Sequence, residues 1–327
     1  RGTLAVPDAH SIRLPDPGQL NLAGVRVSAE LARANQAYLR GDGEAALQAL
    51  APADAAPTAP LTRWHHSHLR VQVLIMMGRA ADAEVEVQRT AELEIAALGT
   101  DLNARALRGE ARAWLGDLEG AEQDFRQVLT ALGDWRPPTH MVMSPPDIPQ
   151  LVALTRALVR ARLGLALSLS MAGRYDQALV EGRQAQSVLD DVFYLLFHPA
   201  ARHWLGVDSD MFYGYGLNQG VLGAALLVSQ GDEAASRARL ERAHGFFDAL
   251  GFTTGRVLVD GMYARALLDA GRPQAAIQTA NRVAEQAAGA GLLDLVWQLH
   301  ALRGRALLAD GHEDLAEQAL RQAQEGL

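Results

Sequence analysis

The sequence predicts an all-α protein built from repeated helix pairs, and three observations lead to this fold class. First, 49% of the 327 residues are hydrophobic but only 6% are aromatic. The core must therefore consist mainly of Ala, Leu and Val, and Ala and Leu are strong helix formers. Second, a glycine turn recurs seven times, each followed five positions later by a small residue. Third, in six of these seven copies another small residue precedes the glycine by seven positions.

The recurring glycine marks the turn between the two helices of each predicted pair. Glycine accepts the left-handed backbone that ends a helix, and acidic residues after it favour the start of the next helix. The turn glycines are Gly41, Gly78, Gly116, Gly173, Gly231, Gly271 and Gly311. The small residues that let the second helix approach the first are Ala46, Ala83, Ala121, Ala178, Ser236, Ala276 and Ala316.

The first helix of each pair carries its own contact position, seven residues before the turn. This position holds Ala34, Val71, Gly109, Ala166, Ala224, Ala264 and Gly304. Leucine recurs three residues further along the helix in five of the pairs. Spacings of three, four and seven residues place these side chains on one helix face. Each first helix is therefore predicted to pack through a narrow stripe of small and aliphatic residues.

This pattern resembles the tetratricopeptide repeat (TPR) family, whose 34-residue unit joins two helices through such a turn. Four signature positions are matched in one unit, by Gly109, Gly116, Ala121 and Phe125. The turns are 37, 38, 57, 58, 40 and 40 residues apart, a longer period that resembles TPR-like arrays of bacterial regulators. The resemblance implies a right-handed superhelical solenoid of about seven antiparallel helix pairs over residues 28–327.

Three segments do not follow the repeat. Residues 1–27 contain three prolines and alternate apolar with polar residues, which predicts an extended segment, either packed along the solenoid or a linker from an upstream domain. An insertion near 133–149 holds five prolines, which are incompatible with a continuous helix. A second insertion near 190–216 is rich in aromatic residues. Its members Phe193, Phe197, Trp204 and Tyr213 either fill a gap between two halves of the array or contact a ligand.

Composition excludes several classes of function. The chain has no Cys, and all 30 of its basic residues are Arg, so thiolate, Schiff-base and P-loop lysine chemistry are ruled out. A net charge of -8 argues against direct binding of nucleic acid. No apolar run has the length of a membrane span. These features predict a cytoplasmic protein, although a processed, exported form remains an alternative.

One histidine pair is the only metal-like feature of the sequence. His65 and His68 lie three residues apart in the segment WHHSH and would share a helix face. Such a pair could bind zinc with ligands from a neighbouring helix. No carboxylate lies nearby in the same predicted helix, so a polar role or a partner contact is favoured. No metal, cofactor or catalytic residue is predicted.

The resemblance also implies a concave groove lined by the first helices, in which TPR proteins bind partners. We assign groove positions by their spacing from the small residue of each first helix. The predicted groove residues are Asn35, Tyr38, His65, His68, Gln72, Arg105, Glu110, Arg160, Asn218, Arg265, Gln298 and Arg305. Four of them are arginines, which bind carboxylates through two parallel hydrogen bonds. The alternative is that these arginines pair with Asp and Glu residues of adjacent helices.

The sequence therefore predicts a non-enzymatic scaffold that binds an extended protein or peptide segment, acidic or carboxylate-bearing. The alternative is a regulatory module that senses a ligand or peptide within a larger signalling or transcription-regulating protein. The two hypotheses share the groove and differ in what a bound molecule does to the solenoid. The oligomeric state is not predicted.

Overall fold

The repeated turns of the sequence form seven antiparallel helix pairs. The computed structural model describes residues 21–22, 25–26, 29–51, 59–136, 148–197, 209–290 and 292–326. Within them, a small antiparallel hairpin of β1 (Asn21–Leu22) and β2 (Val25–Arg26) precedes the helices. The helices are α1 (Ala29–Leu39), α2 (Gly43–Leu50), α3 (Pro60–Met76), α4 (Ala80–Leu98), α5 (Leu102–Trp114), α6 (Leu118–Leu132), α7 (Ile148–Met171), α8 (Tyr175–Phe197), α9 (Ser209–Gln230), α10 (Glu233–Leu250), α11 (Thr253–Asp269), α12 (Pro273–Gly289), α13 (Leu293–Ala309) and α14 (Glu313–Glu325).

The predicted turns are confirmed at all seven positions. Every turn glycine has a left-handed backbone, with φ between 63° and 85°. In three turns the residue after the glycine is an aspartate whose carboxylate accepts a hydrogen bond from a backbone N–H of the next helix. These aspartates are Asp42, Asp117 and Asp232. Such capping satisfies an amide that the helix itself leaves unpaired, so turn and helix start are specified together.

An aromatic residue of the second helix links successive pairs through two glycines. Phe125 of α6 is fully buried, and a Cβ added to Gly109 of α5 or Gly164 of α7 would lie 2.9 Å or 2.3 Å from its ring. Such distances are shorter than carbon atoms tolerate, so both positions must lack a side chain. Phe247 of α10 repeats this arrangement against Gly216 of α9 and Gly255 of α11. Glycine within these helices therefore serves packing rather than flexibility.

The first helices of the pairs form the inner layer of the solenoid. Each helix packs on the next one along the chain, and α5, α7, α9, α11 and α13 also contact each other in succession. The second helices make no comparably extensive contacts with each other within the described residues. Close spacing of one layer and wide spacing of the other curve the array toward the first helices. The concave side is consequently lined by α1, α3, α5, α7, α9, α11 and α13.

The additional residues of the two insertions partly lengthen helices. α7, α8 and α9 contain 24, 23 and 22 residues and are the longest of the described helices. In the second insertion, residues 190–197 extend α8 and residues 209–216 begin α9. Residues 137–147 and 198–208, like most of the predicted extended segment 1–27, lie outside the described residues. In the described part of the chain, no helix combines the length and hydropathy required to cross a membrane.

Candidate binding cavity

A cavity of about 700 Å³ lies on the concave side of the solenoid. All seven first helices contribute to its wall. One lining residue from each, in chain order, is Tyr38, Gln72, Glu110, Leu167, Leu217, Met262 and Gln298. A smaller adjoining recess of about 50 Å³ reaches between α7 and α9, and Gly164 and Gly214 are among the residues that line it. A curved array of repeats brings its first helices around one concave surface, so every repeat can contribute to the same site.

The cavity wall is mostly apolar. Four methionines, Met76, Met77, Met171 and Met262, line it together with leucines of α7, α9, α11 and α13. The unbranched thioether side chain of methionine adapts to ligands of irregular shape, and methionine is frequent on surfaces that bind varied partners. Trp114 of α5 adds an aromatic surface. Such a wall suits apolar ligand groups.

Seven of the twelve predicted groove residues line this cavity or its recess. They are Tyr38, Gln72, Glu110, Arg160, Arg265, Gln298 and Arg305. Four of these occupy the same position in their pairs, one residue after the small residue of the first helix. The amide and the carboxylate at this position belong to the second and third pairs, and the two arginines belong to the sixth and seventh. At this position the wall is therefore neutral or acidic in the second and third pairs and basic in the sixth and seventh.

Two other predicted groove residues face away from the cavity. Arg105 lies four residues before Gly109 rather than three, which turns its side chain about 100° around α5. Its guanidinium donates to Asp101 at 2.8 Å and to Gln127 at 2.6 Å. Asn218 is fully buried and donates to the Gly182 carbonyl of α8 at 3.1 Å. Both side chains connect helices instead of lining the concave wall.

The histidine pair is buried in the second helix pair and does not line the cavity. The His65 and His68 rings lie against Trp64, with centroid distances of 4.6 Å and 5.3 Å. Both side chains are buried, with 7% and 3% of their surface exposed, which corrects the interpretation of them as exposed polar residues. No group of three His, Asp or Glu side chains that could hold a metal occurs in the described portion of the chain. Asn35 of α1 is half-buried and likewise not part of the cavity wall.

Of the four aromatic candidates in the second insertion, the structure places Tyr213 at the cavity. Its ring lines the wall and packs on Phe252 and Phe247, with centroid distances of 4.9 Å and 5.9 Å. It therefore both fills space between helices and faces the cavity. Trp204 and the side chains of Phe193 and Phe197 lie outside what the structure describes.

The arginines at the cavity differ in how far their charge is compensated. Arg160 forms an ion pair with Glu110. Arg265 Nε lies 3.6 Å from Asp269 Oδ2, too far for a hydrogen bond, and this buried N–H has no acceptor among the described residues. Arg305 is exposed, and no carboxylate of the described residues comes within ion-pair distance of it. At the end of the cavity formed by α11 and α13, Arg305 is thus the arginine whose charge has no carboxylate partner among the described residues.

The first helix pair closes the side of the cavity by touching the sixth. Tyr38 is only 4% exposed and meets Phe252 edge-on at 5.7 Å between ring centroids. A Cβ placed on Gly41 would lie 3.0 Å from the Thr254 methyl group. Thr254 lines the cavity, is 1% exposed, and its hydroxyl has no hydrogen-bond partner within the described residues. Sequence spacing gave no signal for this contact between residues more than 200 positions apart.

Three carboxylates are buried between helices, away from the cavity. Asp124 accepts hydrogen bonds from Arg108 and Arg112, and these bonds join α5 to α6. Asp260 of α11 accepts from His244 at 2.7 Å and from Arg282 at 3.0 Å. Burial alone would raise the pKa of Asp260, but these two hydrogen bonds outweigh it and lower that pKa.

The third buried carboxylate, Glu94, lies near the C-terminal end of α4 and accepts hydrogen bonds from the first turn of α5. It accepts hydrogen bonds from the backbone N–H groups of Asn103 and Ala104 at 3.0 Å and 2.8 Å, and from the Asn103 amide. Burial raises the pKa of Glu94 to about 7, although these donors favour the ionised form. Glu94 therefore caps a helix inside the array.

Comparison with known proteins gives likenesses of fold at low identity. No family model matches the chain, and no curated protein matches it. Among solved structures, a tetratricopeptide repeat protein from Parabacteroides merdae is 14% identical, with 90% of this chain and 91% of that chain covered and a TM-score of 0.37.

Two further solved structures have similar values. The apo form of the quorum sensor NprR from B. thuringiensis is 10% identical over 92% of this chain and 87% of that one, with a TM-score of 0.45. A Rap protein complexed with Competence and Sporulation Factor is 13% identical over 92% and 97%, with a TM-score of 0.34. The fold assignment rests on this chain's own glycine turns, buried small residues and inner layer of first helices. By that repeat geometry, the chain is a tetratricopeptide-like helical-repeat solenoid.

Proposed function

We propose that this chain is a non-enzymatic binding module that takes up a short peptide segment in its concave cavity. The observation that carries this proposal is the cavity itself, to which all seven first helices contribute. Its volume of about 700 Å³ is within the usual range of sites for small ligands. A short segment therefore suits it better than a long protein segment.

The polar groups of the wall support binding rather than catalysis. Glu110, the carboxylate of the described wall, is held in an ion pair by Arg160. A general base must be able to reach a substrate proton, and this ion pair occupies the carboxylate. Gln72 and Gln298 offer amides from opposite sides of the cavity, and amides can both donate to and accept from a peptide backbone.

The charges on the wall indicate a ligand with a single anionic group. Two of the predicted arginines do not offer free charge, because Arg105 faces α6 and Arg160 is paired. Arg305 and the incompletely paired Arg265 remain, both at the α11–α13 end. We infer a ligand with apolar side chains along the methionine-lined wall and a single carboxylate near Arg305. This ligand is more specific than the acidic or carboxylate-bearing segment predicted from the sequence, because it has one carboxylate and is otherwise apolar.

The proposal is tested by filling the cavity. Gly261 lines it and has no atoms closer than 3.7 Å to an added Cβ, so Gly261→Trp places a large ring inside it. Gly245→Trp is the matched control, because an added Cβ there meets nothing within 4 Å on the distant α10. Affinity selection from a random pentapeptide pool, with mass spectrometry of retained peptides, should recover the same peptides with the original chain and the control.

Gly261→Trp should retain those peptides at least about tenfold less, since the ring occupies the space they need. Equal retention by both variants would show that the peptides bind elsewhere. Circular dichroism of each variant establishes that the helices remain folded.

A second candidate function, a ligand-sensing regulatory module, is favoured by the contact between α1 and the α10–α11 turn. Tyr38 and Thr254 belong to that contact and also to the cavity wall. A molecule bound in the cavity would therefore touch both sides of the contact.

A further inference from the structure

The first helix pair is attached to the array less extensively than the others. α1 and α2 contact α3 over a smaller surface than the surface through which α4 packs on α5 or α6 on α7. In repeat proteins the terminal unit has a neighbour on one side only, so its attachment is the weakest. Among the described residues, movement of α1 and α2 therefore requires the loss of fewer contacts with the next helix pair than movement of any other pair.

Phe252 and Thr254 form a small patch across the cavity from α3, and this patch contacts the first helix pair. Tyr38 lies against Phe252, which is itself packed on Tyr213 and Phe247. Gly41 lies beside Thr254, and a Cβ added to it would lie 3.0 Å from the Thr254 methyl group. With this patch in contact, the concave side is a tube that is open at its ends. Without it, the concave side is a groove open along its length.

We propose that the first helix pair is a latch, whose contact with Phe252 and Thr254 completes the cavity and is stabilised by bound ligand. The inference rests on the proposed binding role of the cavity. Tyr38 belongs to the latch, Tyr213 and Thr254 belong to the surface on which it closes, and all three line the cavity. A ligand that touches Thr254 or Tyr213 gains the additional contact with Tyr38 only in the closed arrangement. It must then shift the population toward closure by its difference in affinity for the two arrangements.

The latch can be tested directly because the chain contains no cysteine. Gly41→Cys and Thr254→Cys introduce two thiols at positions that are neighbours in the closed arrangement, as a disulfide requires. The second substitution also removes the Thr254 methyl group that an added Cβ on Gly41 would meet. In a glutathione redox buffer without denaturant, loss of free thiols should show that the disulfide forms in nearly all molecules. Circular dichroism then verifies that the helical content is unchanged.

The matched control is the pair Gly271→Cys and Thr254→Cys, at opposite ends of α11. Gly41 and Gly271 have similar left-handed backbones, with φ of 78° and 73°, so both substitutions strain the chain to a similar extent. The control pair should retain its thiols. Free thiols in the Gly41–Thr254 pair under the same conditions would overturn the closed arrangement.

The link to binding is measured with anilinonaphthalene sulfonate, a fluorescent dye with an apolar body and one anionic group. The oxidised Gly41–Thr254 pair should bind it at least as tightly as the reduced pair. Tyr38→Ala should bind the dye about two- to tenfold more weakly, the range expected for loss of one aromatic contact.

Equal dye affinity of Tyr38→Ala and the original chain would contradict the coupling of the latch to the cavity. A separate outcome would count against the proposed function: Gly261→Trp binding the dye as the original chain does. The dye would then lie outside the cavity, whereas the disulfide measurement would still decide whether the first helix pair closes the array.

Discussion

Polar and charged groups between the helix layers differ from those on the cavity wall in how many hydrogen-bond partners they have. Asp124, Asp260 and Glu94 are buried between helices, and each accepts at least two hydrogen bonds from its own chain. On the wall, the hydroxyl of Thr254 has no partner and the guanidinium of Arg305 has no carboxylate, in both cases among the described residues. The three carboxylates between the helices are thus fully partnered, whereas Thr254 and Arg305 on the wall keep spare hydrogen-bonding capacity.

The difference follows from where water can reach. A charge buried between helices without partners costs several kcal/mol, so the buried carboxylates there each have hydrogen-bond donors. A charge beside a cavity remains solvated until a ligand arrives, so Arg305 needs no intramolecular partner. Spare hydrogen-bonding capacity on a concave wall is therefore a better indicator of ligand binding than the mere presence of arginine.

The largest effect should follow from breaking a saturated group. Asp124→Ala leaves Arg108 and Arg112 without the carboxylate that joins α5 to α6. We expect the free energy of unfolding to fall by about 3 kcal/mol, the lower end for a broken buried pair because both arginines remain partly exposed. Urea titration followed by circular dichroism measures this change.

Glu317→Ala is the control for that substitution. It removes the exposed ion pair with Arg321 on α14, and such pairs contribute about 0.5 kcal/mol or less. If the two substitutions destabilise the chain equally, saturation between layers is not what distinguishes Asp124.

The second effect is a pH dependence caused by Glu94. Its pKa is about 7 in the folded chain and 4.5 as the ordinary value, so the unfolded chain releases the proton first as pH rises. The contribution of this group is fully present below pH 4.5 and is lost as pH rises through about 7. Between pH 5.5 and 8, the free energy of unfolding should fall by about 2 kcal/mol from this group alone.

Glu94→Gln removes the titrating group and keeps a carbonyl that can accept from Asn103. The difference in unfolding free energy between the original chain and this variant should vary with pH in the same window. A difference that is constant from pH 5.5 to 8 would show that Glu94 titrates in the folded chain as it does in the unfolded chain. Hydrogen exchange of the Ala104 amide provides a local readout of the same change.

The repeat could be predicted from the sequence because its determinants are local. A left-handed turn requires glycine, and close helix contact requires a small residue five positions later, so both appear at fixed spacing. The double contact of Phe125 with Gly109 and Gly164 was not predicted, because Gly164 belongs to the next pair and lies beyond an insertion. Spacing within one pair carries no information about the neighbouring pair.

The cavity could be predicted only in part for a related reason. Spacing from the contact position of the first helix picked out Gln72 and Arg265, whose side chains lie on the cavity wall. It did not indicate that Asn218 and His65 are buried, since burial depends on which helix covers them. Closure by Tyr38 depends on the curvature of the whole array, which no local spacing encodes.

The smallest effect on stability, and the sharpest test of the comparison, concerns Arg305. Arg305→Gln removes a charge without an intramolecular carboxylate, so the free energy of unfolding should change by about 0.5 kcal/mol or less. Binding should respond instead: a selected apolar pentapeptide with a free C-terminal carboxylate should lose about tenfold in affinity, as expected for one charge-assisted hydrogen bond. The same peptide with an amidated C-terminus should bind the variant and the original chain alike in calorimetry.

Arg303→Gln on the same helix is the control, because Arg303 donates to Asn281 and Gln322 of the neighbouring helices. If the amidated and free peptides lose affinity equally on Arg305→Gln, the spare charge of the wall does not hold the ligand's carboxylate.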